Sequence, residues 1–157
     1  MKFPLFLLYP LYTSVIALVM LAVVPRESIR RLVPFALLFG AVFDGIWLLL
    51  LGGVLGIARY INFSPFGVLG IPFFPPLAWT FFFVLYLYLL PDKSPWNYGF
   101  SVTSAIYATM FSNVLQNLQL FEWRGNRLLL PLAVYLIWML AVTLIYQKYF
   151  KETKIHS

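Results

Sequence analysis

The sequence predicts an all-α fold: a polytopic transmembrane helical bundle of about five spans, forming a single integral-membrane domain over residues 1–157. Three observations carry that expectation. Hydrophobic residues make up 62% of the chain and charged residues 10%, against about 45–50% and about 25% in a soluble domain. The mean hydropathy is +0.89, and so few charges cannot coat a water-facing surface around so much apolar mass. Finally, the apolar residues fall into stretches of about 20, the length that crosses a hydrocarbon core of about 30 Å at 1.5 Å per residue.

The first stretch, 5–24, ends at Pro25-Arg26. Its length, the lack of an A-x-A site and the arginines after it identify a retained span rather than a cleaved signal peptide. Pro10, inside it, is expected to kink the helix or delay its regular part. The second stretch, 33–57, lies between Arg30-Arg31 and Arg59, with Pro34 opening the helix. The third, 72–90, opens on Pro75-Pro76, where the missing donors are orphans in any case, and stops at Pro91-Asp92-Lys93. A fourth and more polar stretch covers 98–121. The fifth, 128–146, opens near Pro131 and runs into Lys148, Lys151 and Lys154. Between the second and third, residues 59–72 are apolar yet broken by Pro65, Gly67, Gly70 and Pro72. That segment is either an interfacial connector anchored by Phe63 and Phe66 or a re-entrant loop, because irregular backbone at membrane depth survives only when buried in protein or lining a cavity.

Eleven Lys and Arg give a net charge of +6. They sit at the ends of the spans, as membrane topology and anionic headgroups require, and not on one face as in a nucleic-acid binder. Seven lie in the 25–32 loop, the 91–97 loop and the tail, against four at the opposite ends. The excess places the N-terminus outside and the C-terminus in the cytoplasm of a plasma-membrane protein. With no cysteine and one histidine, His156, beyond the last span, disulfides, thiolate nucleophiles, Cys or His metal sites and Ser-His-Asp triads are excluded. No metal and no cofactor is expected.

Asp44 lies near the middle of the second stretch. A carboxylate there costs about 2.5–3.5 kcal/mol on insertion scales and must face the bundle interior or a wet cavity. Ala36, Gly40, Asp44, Leu48, Gly52 and Gly56 recur every four residues as one helix ridge. Its small members suit close approach to a neighbouring helix. Arg59 is too far along the helix to be the partner, about 22 Å away. On the fourth stretch Ser101, Ser104, Ala105, Ala108, Ser112, Gln116 and Gln119 share one side, widened by Thr109, Asn113 and Asn117, with Met110, Val114 and Leu118 opposite. The expected site is therefore a seam of Asp44 with Thr109, Ser112, Asn113 and Gln116. It is either a proton-titrating or substrate-binding site, or a hydrogen-bonded interhelical clasp. Arg59, Arg124 and Arg127 are candidates for holding a phosphate or carboxylate headgroup, since guanidinium forks match such anions. Trp123 with its flanking charges also reads as an interface anchor. The aromatic run from Phe73 to Tyr88 either packs in the core and against lipid or lines a pocket for an isoprenoid, quinone or acyl chain.

The stretch Pro25-Arg-Glu-Ser-Ile-Arg-Arg-Leu-Val-Pro-Phe-Ala-Leu-Leu-Phe-Gly40, followed by Asp44, resembles small uncharacterised polytopic membrane proteins of spore-forming Gram-positive bacteria. The pattern Gly40, Asp44, Gly52-Gly53, Gly56 also looks like the rod-shape morphogenesis membrane protein of cell-wall elongation complexes. That second resemblance implies a non-enzymatic scaffold role, from which the proline-rich 62–76 segment departs. The functional expectation is a non-enzymatic accessory or scaffold subunit, or a small carrier, with the lipid bilayer, further copies or other membrane subunits as partners. The alternative is a membrane-embedded enzyme acting on a lipid or isoprenoid, with Asp44 as the acid-base group.

Overall fold

Helices dominate because the apolar runs have no other way to satisfy their backbone away from water. A computed structural model of the chain describes residues 2–69 and 71–155, with side chains as far as residue 149. Gly70 and His156 lie outside the described residues, as do the side chains of Lys151 and Lys154. The helices are α1 (Leu5–Val23), α2 (Arg26–Val54), α3 (Phe74–Leu89), α4 (Trp96–Asn117) and α5 (Leu129–Ile155). Four short strands accompany them: β1 (Ala58–Tyr60), β2 (Gly67–Val68), β3 (Ile71–Pro72) and β4 (Phe121–Trp123). The fold is thus all-α in class. Three helical stretches, Leu5–Val23, Arg26–Val54 and Leu129–Tyr149, are long and apolar enough to cross a membrane. Helix α3 has 16 residues, about 24 Å of rise and short of a full hydrocarbon core.

The chain divides into two compact units. One comprises Met1–Leu89 with Leu115–Arg124, the other Leu90–Val114 with Gly125–Ser157.

In the first unit, α1 opens with a 3-10 turn at Leu5–Leu7 and becomes regular only from Leu8, the delay expected around Pro10. It ends at Val24, whose N–H bonds Met20 O at 2.8 Å, because Pro25 cannot continue it. Two expectations about α2 are corrected. Residues 26–32 are helical and not a loop, since extended Pro25 starts the helix and Glu27 in the first turn complements the helix dipole. Pro34 consequently sits inside α2, eight residues after its start, and does not open it. The charged turn Arg26–Arg31 lies ahead of the apolar run, so hydropathy alone places the start too late.

Helix α2 carries two π-helical stretches, Leu37–Val42 and Leu48–Val54, on either side of Asp44. Their i→i+5 turns hold more residues than the about 3.6 of an α-turn. A four-residue repeat drifts one way in α-helix and the other in π-helix, so the mixture keeps the ridge on one face. Along that ridge Ala36, Gly40 and Asp44 are buried, Leu48 and Gly52 are half-buried, and Gly56 is exposed. Gly40 meets α3 directly: a Cβ there would stand 2.7 Å from Thr80 N and Trp79 C. Helix α3 packs on both α1 and α2. It buries Ala78, Thr80, Phe83, Val84, Tyr86 and Leu87, with the Thr80 hydroxyl satisfied by Pro76 O at 2.9 Å. Its aromatic run packs on itself, Trp79 against Phe82 at 5.4 Å and Phe83 against Tyr86 at 5.6 Å.

Helix α2 ends at Gly56, whose φ of +64° only glycine adopts freely. Ile57 N–H returns to Leu51 O at 2.7 Å, a Schellman-type closure. The chain then folds back along α2, since a Cβ on Gly52 would lie 2.8 Å from Ala58 O. Segment 59–72 is therefore neither a plain connector nor irregular throughout. β1 pairs antiparallel with β4 in the register Ala58–Trp123, Arg59–Glu122 and Tyr60–Phe121, and β2 pairs with β3. Taking Ile71 and Pro72 into that hairpin is what shortens α3 relative to the apolar run 72–90.

In the second unit, α4 and α5 are clasped by polar side chains. The Ser101 and Thr143 hydroxyls lie 2.8 Å apart. Asn97 donates to Gln147 Oε1 at 2.7 Å, and Gln147 donates to Pro91 O at 3.3 Å. Asn126 Oδ1 accepts from the Leu128 and Leu129 amides at 2.9 Å, capping α5. On α4 Ser101, Ala105, Ala108, Thr109 and Ser112 are buried while Tyr107, Met110 and Val114 are exposed, an inverted polarity that suits lipid.

Replacing Gly40 by leucine is expected to destabilise the protein by about 3 kcal/mol, at the upper end of overpacking costs, because the obstructing atoms are backbone. Gly45, with nothing within 4 Å of an added Cβ, should accept alanine with a gain of up to about 1 kcal/mol from helix propensity. Thermal unfolding in detergent, followed by circular dichroism, ranks the two variants. Equal midpoints would contradict the α2–α3 contact.

Candidate functional site

Asp44 is 4% exposed, so the ridge does turn it into the protein. Tyr60 is its hydrogen-bonding neighbour, and Oδ2 has no hydrogen-bond partner among the described residues. No cationic side chain forms an ion pair with it among the described residues. Tyr60 reaches Asp44 because β1 runs back along α2: two residues past Ala58, at about 3.3 Å per residue of strand, the tyrosine side chain points further up the ridge. Sequence reasoning missed Tyr60, whose only signal was a hydroxyl within an otherwise apolar segment.

The β1–β4 ladder is held from α1. The hydroxyl of fully buried Tyr9 lies within hydrogen-bonding distance of both Ile61 O and Leu120 O, the latter at 2.6 Å. Ile61 N–H also donates to Leu120 O at 2.9 Å, Arg124 N–H to Ile57 O at 2.8 Å, and Asn62 Nδ2 to Gln119 O at 2.7 Å. One ladder face presents Tyr60, Phe121 and Trp123, with ring centroids 4.7 Å apart for Tyr60–Phe121 and 6.3 Å for Tyr9–Tyr60. Buried Trp123, 5% exposed, therefore packs in the unit instead of anchoring at an interface. Thr13, one turn beyond Tyr9 on α1, is also buried with an unpartnered hydroxyl.

The expected seam residues are distributed between the units. Gln116 belongs to the first, with a buried Oε1 that has no partner. Thr109, Ser112 and Asn113 belong to the second. There the Thr109 hydroxyl donates to Ala105 O at 2.8 Å, and Asn113 Nδ2 donates to Thr109 O and Arg127 O at 3.0 Å. Ser112 is buried.

Two of the three candidate headgroup arginines meet on the opposite ladder face. Arg59 Nε donates to Glu122 Oε2 at 2.7 Å, and Arg124 Nε stands 4.0 Å from Glu122 Oε1. Arg127 lies in the other unit. Arg59, Glu122 and Arg124 line, with Gly52, Gly56 and Ala58, a hollow of about 160 Å³. The hydrogen bond from Arg59, reinforced by the charges of Arg59 and Arg124, holds the Glu122 carboxyl below its ordinary value of 4.5. Among the described residues, no group of three or more His, Asp and Glu gathers as a metal site. Comparison with family models, curated proteins and solved structures finds no match to this chain.

Because the folded Glu122 carboxyl titrates below its unfolded value, its pairing stabilises the ladder fully above about pH 4.5 and is lost as the pH falls through the folded value. Hydrogen-exchange protection of the Ile61 and Arg124 amides should accordingly drop as the pH falls below about 4.5, by a small factor since the pair is exposed. Glu122→Gln should remove that pH dependence. A slope unchanged in the variant would refute the assignment.

Proposed function

We propose that this chain is a multi-span, non-enzymatic plasma-membrane protein, a small carrier or accessory subunit, whose working group is Asp44. The carrying observation is a carboxyl buried within the α2 span, with Tyr60 on one side and an oxygen that no described residue hydrogen-bonds. Interhelical hydrogen bonds in membranes contribute only about 0.6 kcal/mol on average, which makes a buried Asp a poor device for stability alone. A carboxyl oxygen left without a hydrogen bond at that depth suits a proton, a small cation or a hydrogen-bond donor brought by a ligand or a further subunit.

Five spans, with the N-terminus outside and the C-terminus inside, remain the favoured topology. The inverted polarity of α4 supports its crossing despite lower hydropathy, and α3, covered by α1 and α2, is the short central member of its unit. The basic residues at the start of α2 stay on the same side whether that turn is helix or loop. The enzyme reading is less favoured, because the hollow lined by Arg59 and Arg124 does not include Asp44. A headgroup held there would face away from the carboxyl.

Native mass spectrometry of protein gently extracted from its own membrane, comparing wild type with Asp44→Asn, tests the proposal. A bound species should be present in the wild type and at least tenfold depleted in the variant. A lost protein mass would assign an accessory subunit, and a lost small-molecule or ion mass a carrier. Identical spectra, with identical proton uptake by the two proteins in proteoliposomes, would remove Asp44 as the working group.

A further inference from the structure

We propose that the hollow between the C-terminal end of α2 and the outer face of the β1–β4 ladder binds a phosphate group, held by Arg59 and Arg124. Strand alternation places Arg59 and Glu122 directly opposite each other on one face, and Arg124 follows two residues along on the same side. Two guanidinium groups therefore converge on one carboxylate, leaving one positive charge uncompensated. Each carries a fork of N–H donors, yet among the described residues the Arg59 Nε bond to Glu122 is the one hydrogen bond that either guanidinium makes. Arg124 makes none and stands 4.0 Å from the carboxylate. Glu122 thus fixes the first arginine and leaves the second poised over the hollow.

The floor is open for the same reason that α2 ends there. Gly52 and Gly56 contribute no side chain, and an added Cβ on Gly56 would meet nothing within 4 Å. A volume of about 160 Å³ admits a phosphate oxyanion between guanidinium forks, the bidentate geometry that arginine favours. One excess positive charge matches the single negative charge of a phosphodiester. Beside the hollow, Val54 and Leu55 at the end of α2 are 75% and 60% exposed, apolar surface on which acyl chains can lie when the phosphate belongs to a lipid. The shared chemistry is a phosphate oxyanion, either in a membrane-lipid headgroup or free in water.

Wild-type protein in detergent is loaded with phosphatidylglycerol, or separately titrated with inorganic phosphate, and the bound species are counted by native mass spectrometry. Arg124→Gln is the principal variant, because Arg124 makes no side-chain hydrogen bond whose loss would disturb the ladder. Arg26→Gln, an exposed arginine at the other end of α2, controls for general basic attraction. Occupancy should fall about tenfold in Arg124→Gln, the loss of one charge-assisted hydrogen-bonding group, and stay unchanged in Arg26→Gln. Lipid retained against millimolar inorganic phosphate assigns a headgroup site, and displacement or direct binding of inorganic phosphate assigns a free-phosphate site. Absence of both from the wild type, or equal losses in the two variants, overturns the proposal. Asp44→Asn should leave this binding intact, so its outcome is separable from that of the carboxyl site.

Discussion

The first unit depends on how residues 57–61 satisfy their backbone, because they leave a helix and fold back beside it among apolar side chains. An extended segment there has a polar group at every residue, and each one left bare in an apolar setting costs several kcal/mol. Strand β4 meets that demand. Its register with β1, the closing bonds from Arg124 to Ile57 and from Ile61 to Leu120, and the Tyr9 hydroxyl over the last carbonyls leave the turn region paired. The chain joins segments more than sixty residues apart for this purpose.

With β1 fixed, the environment of Asp44 follows. The carboxyl lies on a ridge with π-helical turns on either side, and its hydrogen-bonding neighbour among the described residues comes from the returning strand. Gly40 sets how near α3 comes, and Gly52 sets how near β1 comes. The two glycines bracket the aspartate at four- and eight-residue offsets. Small residues on this ridge therefore admit backbone at two different places, one helical and one extended.

Hydropathy made the helices legible, together with the burial of Asp44 and the polar side of α4, because all three are properties of one segment and its period. Boundaries were legible where a proline or glycine enforces them, as at Pro25 and Gly56. They were misplaced where an apolar run continues into different secondary structure, as at Ile71-Pro72, or where a helix begins in charged residues, as at Arg26. Partners were not legible. Tyr60 for Asp44, Glu122 for Arg59 and Leu120 for Tyr9 lie 16, 63 and 111 residues apart. No period or spacing rule connects such positions without knowledge that β1 and β4 pair. The signal available was the pair of short segments Ala58–Tyr60 and Phe121–Trp123, each with a charge between apolar neighbours, which is the alternation of a strand with two different faces.

That alternation has a mechanical consequence. Tyr60 and Arg59 are consecutive on β1, so one faces the buried carboxyl and the other faces the hollow with Glu122 and Arg124. A rigid displacement of the strand changes both surroundings together, and neither can be altered by side-chain rotation alone without breaking Arg59 from Glu122 or Tyr60 from Asp44. The ladder resists such displacement through its paired backbone and through Tyr9, which reaches it from a different helix. The two surfaces are thus joined by a few ångströms of extended backbone, although one belongs to the boundary of the protein and the other to its interior.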